Sequence, residues 1–210
     1  MGHEHRDRAW VEIGERIVTG QLPAGAVLDE GALAGEVGVS EPVVREALCF
    51  LQRDGFVREE GGGFAVSDLD ELELRETYPL ALLLEGLAVR SAPGYPDATL
   101  ARLREINADM ERDGADAAAA ATHDFRFHDE LVRHCANEQL LTTLRPLKRR
   151  LLRYELAYMS VPKNVGHSVR QHAEIVDALE QDDRDAAAAT VEANFRDAMP
   201  RLLERLAAGT

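Results

Sequence analysis

From Asp68 to the end of the chain, apolar residues recur at three- and four-residue spacing. The pattern breaks only at Ala92-Pro93-Gly94-Tyr95-Pro96, Asp113-Gly114, the region of Asn137, Val161-Pro162 and Asp182-Asp183. A period of that kind buries one stripe of each helix, so five breaks predict roughly six helices packed as a bundle. The alanine runs at 117–121 and 186–189 lead into longer periodic stretches and read as helix starts of high propensity, not as low-complexity linkers.

The first 66 residues have a different rhythm. Trp10, Ile13, Ile17 and Val18 give the inner face of a helix over about Arg6 to Thr19, which ends at Gly20-Gln21-Leu22-Pro23-Ala24-Gly25. A second helix covers Asp29 to Val37. After a Gly-Val-Ser turn comes a third, with Val39, Val43, Val44, Ala47, Leu48 and Leu51 on one side, Ser40 as its cap and Asp54-Gly55 as its end. FVREEGGGFAV then reads as a β-hairpin with Gly61-Gly62-Gly63 at its tip. Helix, turn, helix and glycine-tipped hairpin make a winged helix-turn-helix. The expected fold is therefore mainly α, with a winged helix-turn-helix over 1–66 and an all-helical domain over 67–210.

Several classes are excluded early. The expected home is the cytoplasm, because no stretch reaches the length of uncharged apolar residues that a membrane span needs and MGHEHRDRAWVEIGER is too polar for a signal peptide. Cys49 and Cys135 fall in unrelated helices with no CxxC pattern, and are expected to be reduced packing residues. His123, His134 and His167 fit no ligand spacing and are expected at the surface.

Charge runs against the shape of the N-terminal domain. The chain carries a formal charge of −14, and residues 1–66 hold six Arg and no Lys against twelve Asp plus Glu. Phosphate neutralisation by Lys and Arg supplies much of the affinity of a nucleic-acid binder, and this domain offers little of it.

The stretch RIVTGQLPAGAVLDEGALAGEVGVSEPVVREAL resembles the N-terminal signature of the GntR family of bacterial regulators. HDFRFHDELVRHCANEQLL, with the helical remainder, resembles the ligand-binding domain of the FadR-type (FCD) branch. That resemblance implies a metabolite-responsive transcriptional regulator that binds operator DNA as a homodimer, with a small organic acid as effector. It also implies DNA contacts at Ser40, Arg45 and the wing tip at Gly62. Basic residues usual at the contact positions are replaced by Gly31, Glu41 and Gly62, and only Arg45 remains. Arg6, Arg8, Arg16 and Arg58 are alternative sources of positive charge.

In the helical domain Asp124 and His128 stand four residues apart, so both share one helix face, continued by Leu131, Val132 and Cys135. His172 points inward by its spacing from Ile175, Val176 and Leu179. Buried Asp and His require partners. The resemblance implies a metal set of one Asp and three His: Asp124, His128 and His172 match, while the third His falls on Asn194, a weaker donor for a divalent ion such as Zn, Ni or Fe. The four residues also form the implied effector pocket. The arginine usual in the first long helix is Ala81, although Glu85 stands.

A second reading is an enzyme on the same scaffold, DNA binding having lapsed, since two His and one carboxylate also make open metal sites. No Ser-His-Asp set, phosphate loop or HExxH motif names a reaction. The helix around PLALLLEGLAV is apolar on several sides and is expected either in the bundle or at a homodimer contact.

Overall fold

The computed structural model describes residues 2–208, with side chains described from 5 to 207. It falls into two compact units, Met1–Leu69 and Asp70–Thr210. No helix among the described residues is long and apolar enough to cross a membrane.

In the first unit the order is α1 (Gly2–Val18), β1 (Val27–Leu28), α2 (Glu30–Val37), α3 (Glu41–Arg53), β2 (Val57–Glu60) and β3 (Gly63–Val66). Asp29 caps α2 by accepting from the N–H groups of Gly31 and Ala32 at 2.9 and 3.0 Å, and Gly38 ends it in the left-handed conformation. Ser40 stands at the N-cap of α3 but its side chain makes no cap bond, contrary to expectation. Pro42 occupies the second helical position and has no N–H to give, and the Val43 N–H goes to the Ser40 carbonyl at 2.9 Å.

The wing is an antiparallel sheet in the order β1-β3-β2. The hairpin closes on two residues, Gly61 and Gly62, both at positive φ, so Glu60 pairs with Gly63. The sequence did not reveal β1, which adds Val27 against Ala65 and Leu28 against Phe64. Ile13, Val44, Ala47, Leu48 and Leu51 meet as a fully enclosed core. Cys49 is exposed on α3, which corrects its assignment as a packing residue; Cys135 is buried, and both are free thiols.

The second unit is six helices: α4 (Glu71–Arg90), α5 (Asp97–Asp113), α6 (Ala117–Val132), α7 (Glu138–Met159), α8 (Pro162–Glu180) and α9 (Arg184–Ala208). Asp70, Asp116 and Asn137 cap α4, α6 and α7 through their side-chain oxygens. Tyr78, Leu103, Met110, Phe127, Leu131, Leu144 and Tyr154 form the interior. On α4, Leu74, Tyr78, Ala81, Glu85 and Val89 face inward, while Leu72, Leu80, Leu83 and Leu87 form an exposed stripe.

Candidate functional site

The apolar stripes of α4, α5, α6, α7 and α8 each carry a polar residue where periodicity calls for a hydrophobe, and these residues cluster. On α6, Asp124 and His128 point inward one turn apart; His172 comes from α8, and all three are buried. One ligand atom from each lies within 4.8 Å of the others. His172 Nε2 is 3.4 Å from Asp124 Oδ1, His128 Nε2 is 4.0 Å from Asp124 Oδ2, and the two Nε2 atoms are 3.3 Å apart.

The other ring nitrogens are tied outward. Asn107 on α5 gives its amide N–H to the Val169 carbonyl at 2.9 Å, which leaves its Oδ1 to accept from His172 Nδ1 at 3.2 Å. His128 Nδ1 donates to Glu85 Oε1 on α4. Each Nδ1 thus carries a proton, and the two Nε2 atoms turn their remaining valence toward each other and toward Asp124. Two bare nitrogen lone pairs at that distance repel, so the arrangement calls for a positive charge between them, a proton or a metal ion. Two imidazole nitrogens and a carboxylate oxygen, each ring backed by a hydrogen-bond acceptor, is a donor set that fits a divalent transition metal.

Charges in the cluster divide in the same sense. Burial lowers His172 below its ordinary pKa; burial also opposes protonation of His128, yet the Glu85 carboxylate overcomes this and holds it above its ordinary value. Burial works to raise Asp124 and Glu85, but the surrounding cations keep both below the ordinary carboxylate range. Phe127 stacks flat on the His172 ring at 3.8 Å and Phe195 stands edge-on to His128 at 5.4 Å. Phe195 and Tyr78 also line a groove of about 360 Å3 between α4 and α9, so their rings separate the cluster from that groove. Asn194, on α9, is buried and donates its amide to Gln171 Oε1 at 2.8 Å, beside His172 in sequence. Buried Ala81 brings no charge to α4.

The first unit has its own geometry. Arg45 is exposed on α3 and its guanidinium reaches both the Gly62 carbonyl at the wing tip and Glu30 Oε1, each at 3.4 Å. It stands at a hollow of about 510 Å3 between α3 and the wing, with Cys49, Glu59, Glu60 and the three wing glycines. Gly31 and Glu41 are spatial neighbours: a Cβ at position 31 would lie 3.4 Å from Glu41 Oε1. The alternative cations are engaged elsewhere. Arg6 pairs with Asp7 and Glu46, Arg16 with Glu12 and Glu36, and Arg58 with Glu60 and Asp68, while Arg8 donates to the carbonyls that end α2.

Residues 76–197 match the FCD domain, and residues 6–66 match the bacterial regulatory proteins of the gntR family. The chain belongs to the GntR family. This GntR protein is 27% identical over 198 residues to the gluconate operon transcriptional repressor of Bacillus licheniformis, covering 90% of this chain and 82% of that one. It is 31% identical to the Nta operon transcriptional regulator of Aminobacter aminovorans, covering 86% of each. Its fold is that of a GntR transcriptional regulator from Rhodococcus sp. RHA1, with a TM-score of 0.80 at 23% identity, covering 96% of this chain and 98% of that one. It is a transcriptional regulator, and these likenesses do not favour the enzyme reading.

Spacing paired Asp124 with His128 and turned His172 inward, and the family resemblance joined the three; Asn107 was missed and Glu85 was noted without its partner. The signal was available. Asn107 interrupts the stripe of Leu103, Ile106 and Met110, and Glu85 that of Tyr78, Ala81, Ala88 and Val89. His123, His134 and His167, expected at the surface, are half-buried, and each has a partner: Asp113, Thr99 and Asp197 respectively.

Proposed function

We propose that this GntR regulator binds operator DNA as a homodimer, and that a small-molecule effector taken up by the helical unit controls the binding. Asp124, His128 and His172 would hold a divalent cation there, with Asn194 as the weaker fourth position. The observation that carries the reading is the convergence of two Nε2 atoms and a carboxylate on one point, with Glu85 and Asn107 fixing the ring tautomers. A bound ion would act as a Lewis acid toward an anionic or hydroxylated effector, which suits the organic-acid class. For an effector to switch DNA binding it must favour one arrangement of the protein over the other.

DNA contact is assigned to α3 and the wing, with Arg45 as the cation and Ser40 and Gly62 as neighbours on the same surface. With Gly31, Glu41 and Gly62 in place of cations, this binding is weak and strongly salt-dependent. The exposed stripe of α4 supplies the homodimer contact. A regulator that works on DNA belongs in the cytoplasm, which the absence of a membrane-length helix among the described residues supports.

The test is elemental analysis of the purified chain, zinc and nickel titration of the parent and of His172→Ala, and DNA binding to the chain's own upstream region. Retained metal affinity in His172→Ala would remove the metal assignment. No salt-sensitive binding to any fragment of that region would remove the DNA assignment.

A further inference from the structure

Four side chains on α8 and α9 form a hydrogen-bonded row in which each member fixes the orientation of the next. The row starts at the surface with Asp197, whose side chain is 45% exposed. Its Oδ2 accepts from His167 Nε2 at 3.2 Å and from Gln171 Nε2 at 3.3 Å. Gln171 Oε1 accepts in turn from Asn194 Nδ2 at 2.8 Å. Gln171 and Asn194 are both buried. The inner end lies beside the candidate metal ligands: Gln171 precedes His172 on α8, and Asn194 precedes Phe195, whose ring stands edge-on to His128.

An amide side chain has an accepting arm and a donating arm of nearly equal size, so packing alone does not choose between its two orientations. A carboxylate does choose. Ionised Asp197 can only accept, so it draws the NH2 arm of Gln171 and turns the Gln171 carbonyl toward Asn194. That carbonyl draws the NH2 arm of Asn194 and leaves Oδ1 on the opposite arm. Asn194 is 8% exposed, yet its Oδ1 accepts no hydrogen bond among the described residues. A carbonyl oxygen held inside a protein without a donor is unfavourable, and a cation satisfies it as a donor does.

We propose that Asp197 and Gln171 are positioning residues that make Asn194 an oxygen ligand, and that they bias the metal site toward a harder divalent ion such as manganese(II). This rests on the metal reading given above and concerns which ion that site prefers. Two imidazoles with two oxygens make a harder donor set than three imidazoles with one carboxylate. Carboxylate and carbonyl oxygens suit manganese, whereas imidazole suits zinc and nickel.

Competition titrations of the full-length chain with manganese(II) and zinc test the assignment, with cobalt(II) as a spectroscopic probe. Asp197→Lys exchanges an acceptor for a donor at an exposed position and reverses the row, turning an N–H of Asn194 toward the ion. It is expected to weaken manganese binding by about tenfold, the usual cost of losing a group that orients a ligand. Asp197→Asn can still accept from Gln171 and is expected to stay within threefold of the parent. With Asn194→Ala in the background, Asp197→Lys is expected to cost less than threefold, because the amide through which it acts is gone. The visible band of bound cobalt(II) in Asp197→Lys is expected to match that of Asn194→Ala and to differ from the parent's. Asn194→His is expected to raise the preference for zinc over manganese by threefold or more.

An equal cost of Asp197→Lys with and without Asn194 would mean that surface charge alone acts, and overturns the positioning role. A cobalt(II) band that is the same in the parent and Asn194→Ala, or an unchanged zinc-to-manganese ratio in Asn194→His, overturns the oxygen ligand. Should Asp197→Lys fail to fold, Gln171→Met removes both anchors and carries the same comparison: the Asn194→Ala band supports the role and the parent's band overturns it. A parent that binds none of the three ions overturns the metal reading itself, whereas one that binds them and is indifferent to position 197 overturns only the positioning.

Discussion

The hydroxyl of Tyr78 donates to Glu155 Oε1 at 2.7 Å, joining α4 to α7 inside the helical unit. Burial, and after it the negative charge of Asp124, pushes Glu155 up to about 8 from an ordinary value of 4.5, so the folded protein holds a proton there at neutral pH. The unfolded chain gives that proton up near 4.5. Between these values the folded state binds more protons than the unfolded state, and stability therefore falls as pH rises. Thermal melts of the metal-free protein are expected to show a melting temperature that drops from about pH 5 to about pH 8 through this group. Glu155→Gln, which cannot ionise, should flatten that slope; an equally steep slope in the variant would assign the effect elsewhere.

Metal affinity should respond to residues on either side of the ligand set. Asn194→His adds an imidazole at the fourth position and is expected to tighten zinc or nickel binding by tenfold or more, on the order of 1.4 kcal/mol per factor of ten. Asn107→Ala, which frees His172 Nδ1, is expected to weaken it by about tenfold, the usual cost of losing a group that orients a ligand. Competition titrations against a chromogenic chelator measure both; two variants that match the parent would place the metal away from this cluster.

On the DNA side, Arg45→Ala is expected to abolish binding to the upstream region. Glu41→Arg is expected to strengthen it, because a repelling carboxylate is exchanged for a cation. The logarithmic salt slope should steepen by about one for each phosphate gained. Fluorescence anisotropy across a range of potassium chloride reads both. An affinity in Glu41→Arg no greater than the parent's would mean that the start of α3 does not face phosphate.

Legibility followed distance along the chain. The five helix breaks, the wing and the Asp124–His128 pair depend on neighbours within a few residues, and local spacing exposes them. His128 needs Glu85, 43 positions away, and His172 needs Asn107, 65 positions away, so no local pattern links them. Each still left a trace as a polar residue on an apolar stripe. β1 escaped because two residues are too few to show alternation. The Ser40 cap failed for a local reason that composition hid: Pro42 removed the donor.

The stripe Leu72, Leu80, Leu83 and Leu87 is open on this chain, with Leu83 60% exposed. A row of four exposed leucines on one helix is more than isolated surface apolar residues, and a second copy would cover it. Leu83→Glu in the full-length chain is expected to convert a dimer to a monomer at micromolar concentration, measured by light scattering. A variant that stays dimeric would place the contact on another face.

The winged-helix unit is held from within by Ile13, Val44, Leu48 and Leu51, whereas positions 31, 41, 45 and 62 all lie on its outer skin. No residue belongs to both groups. Most Gly-to-Arg exchanges are single-nucleotide steps, and so is Glu to Lys. Exposed Glu41 and Arg45 can therefore be exchanged without the interior having to adapt, whereas Gly62 is held at positive φ and a side chain there would strain the wing tip.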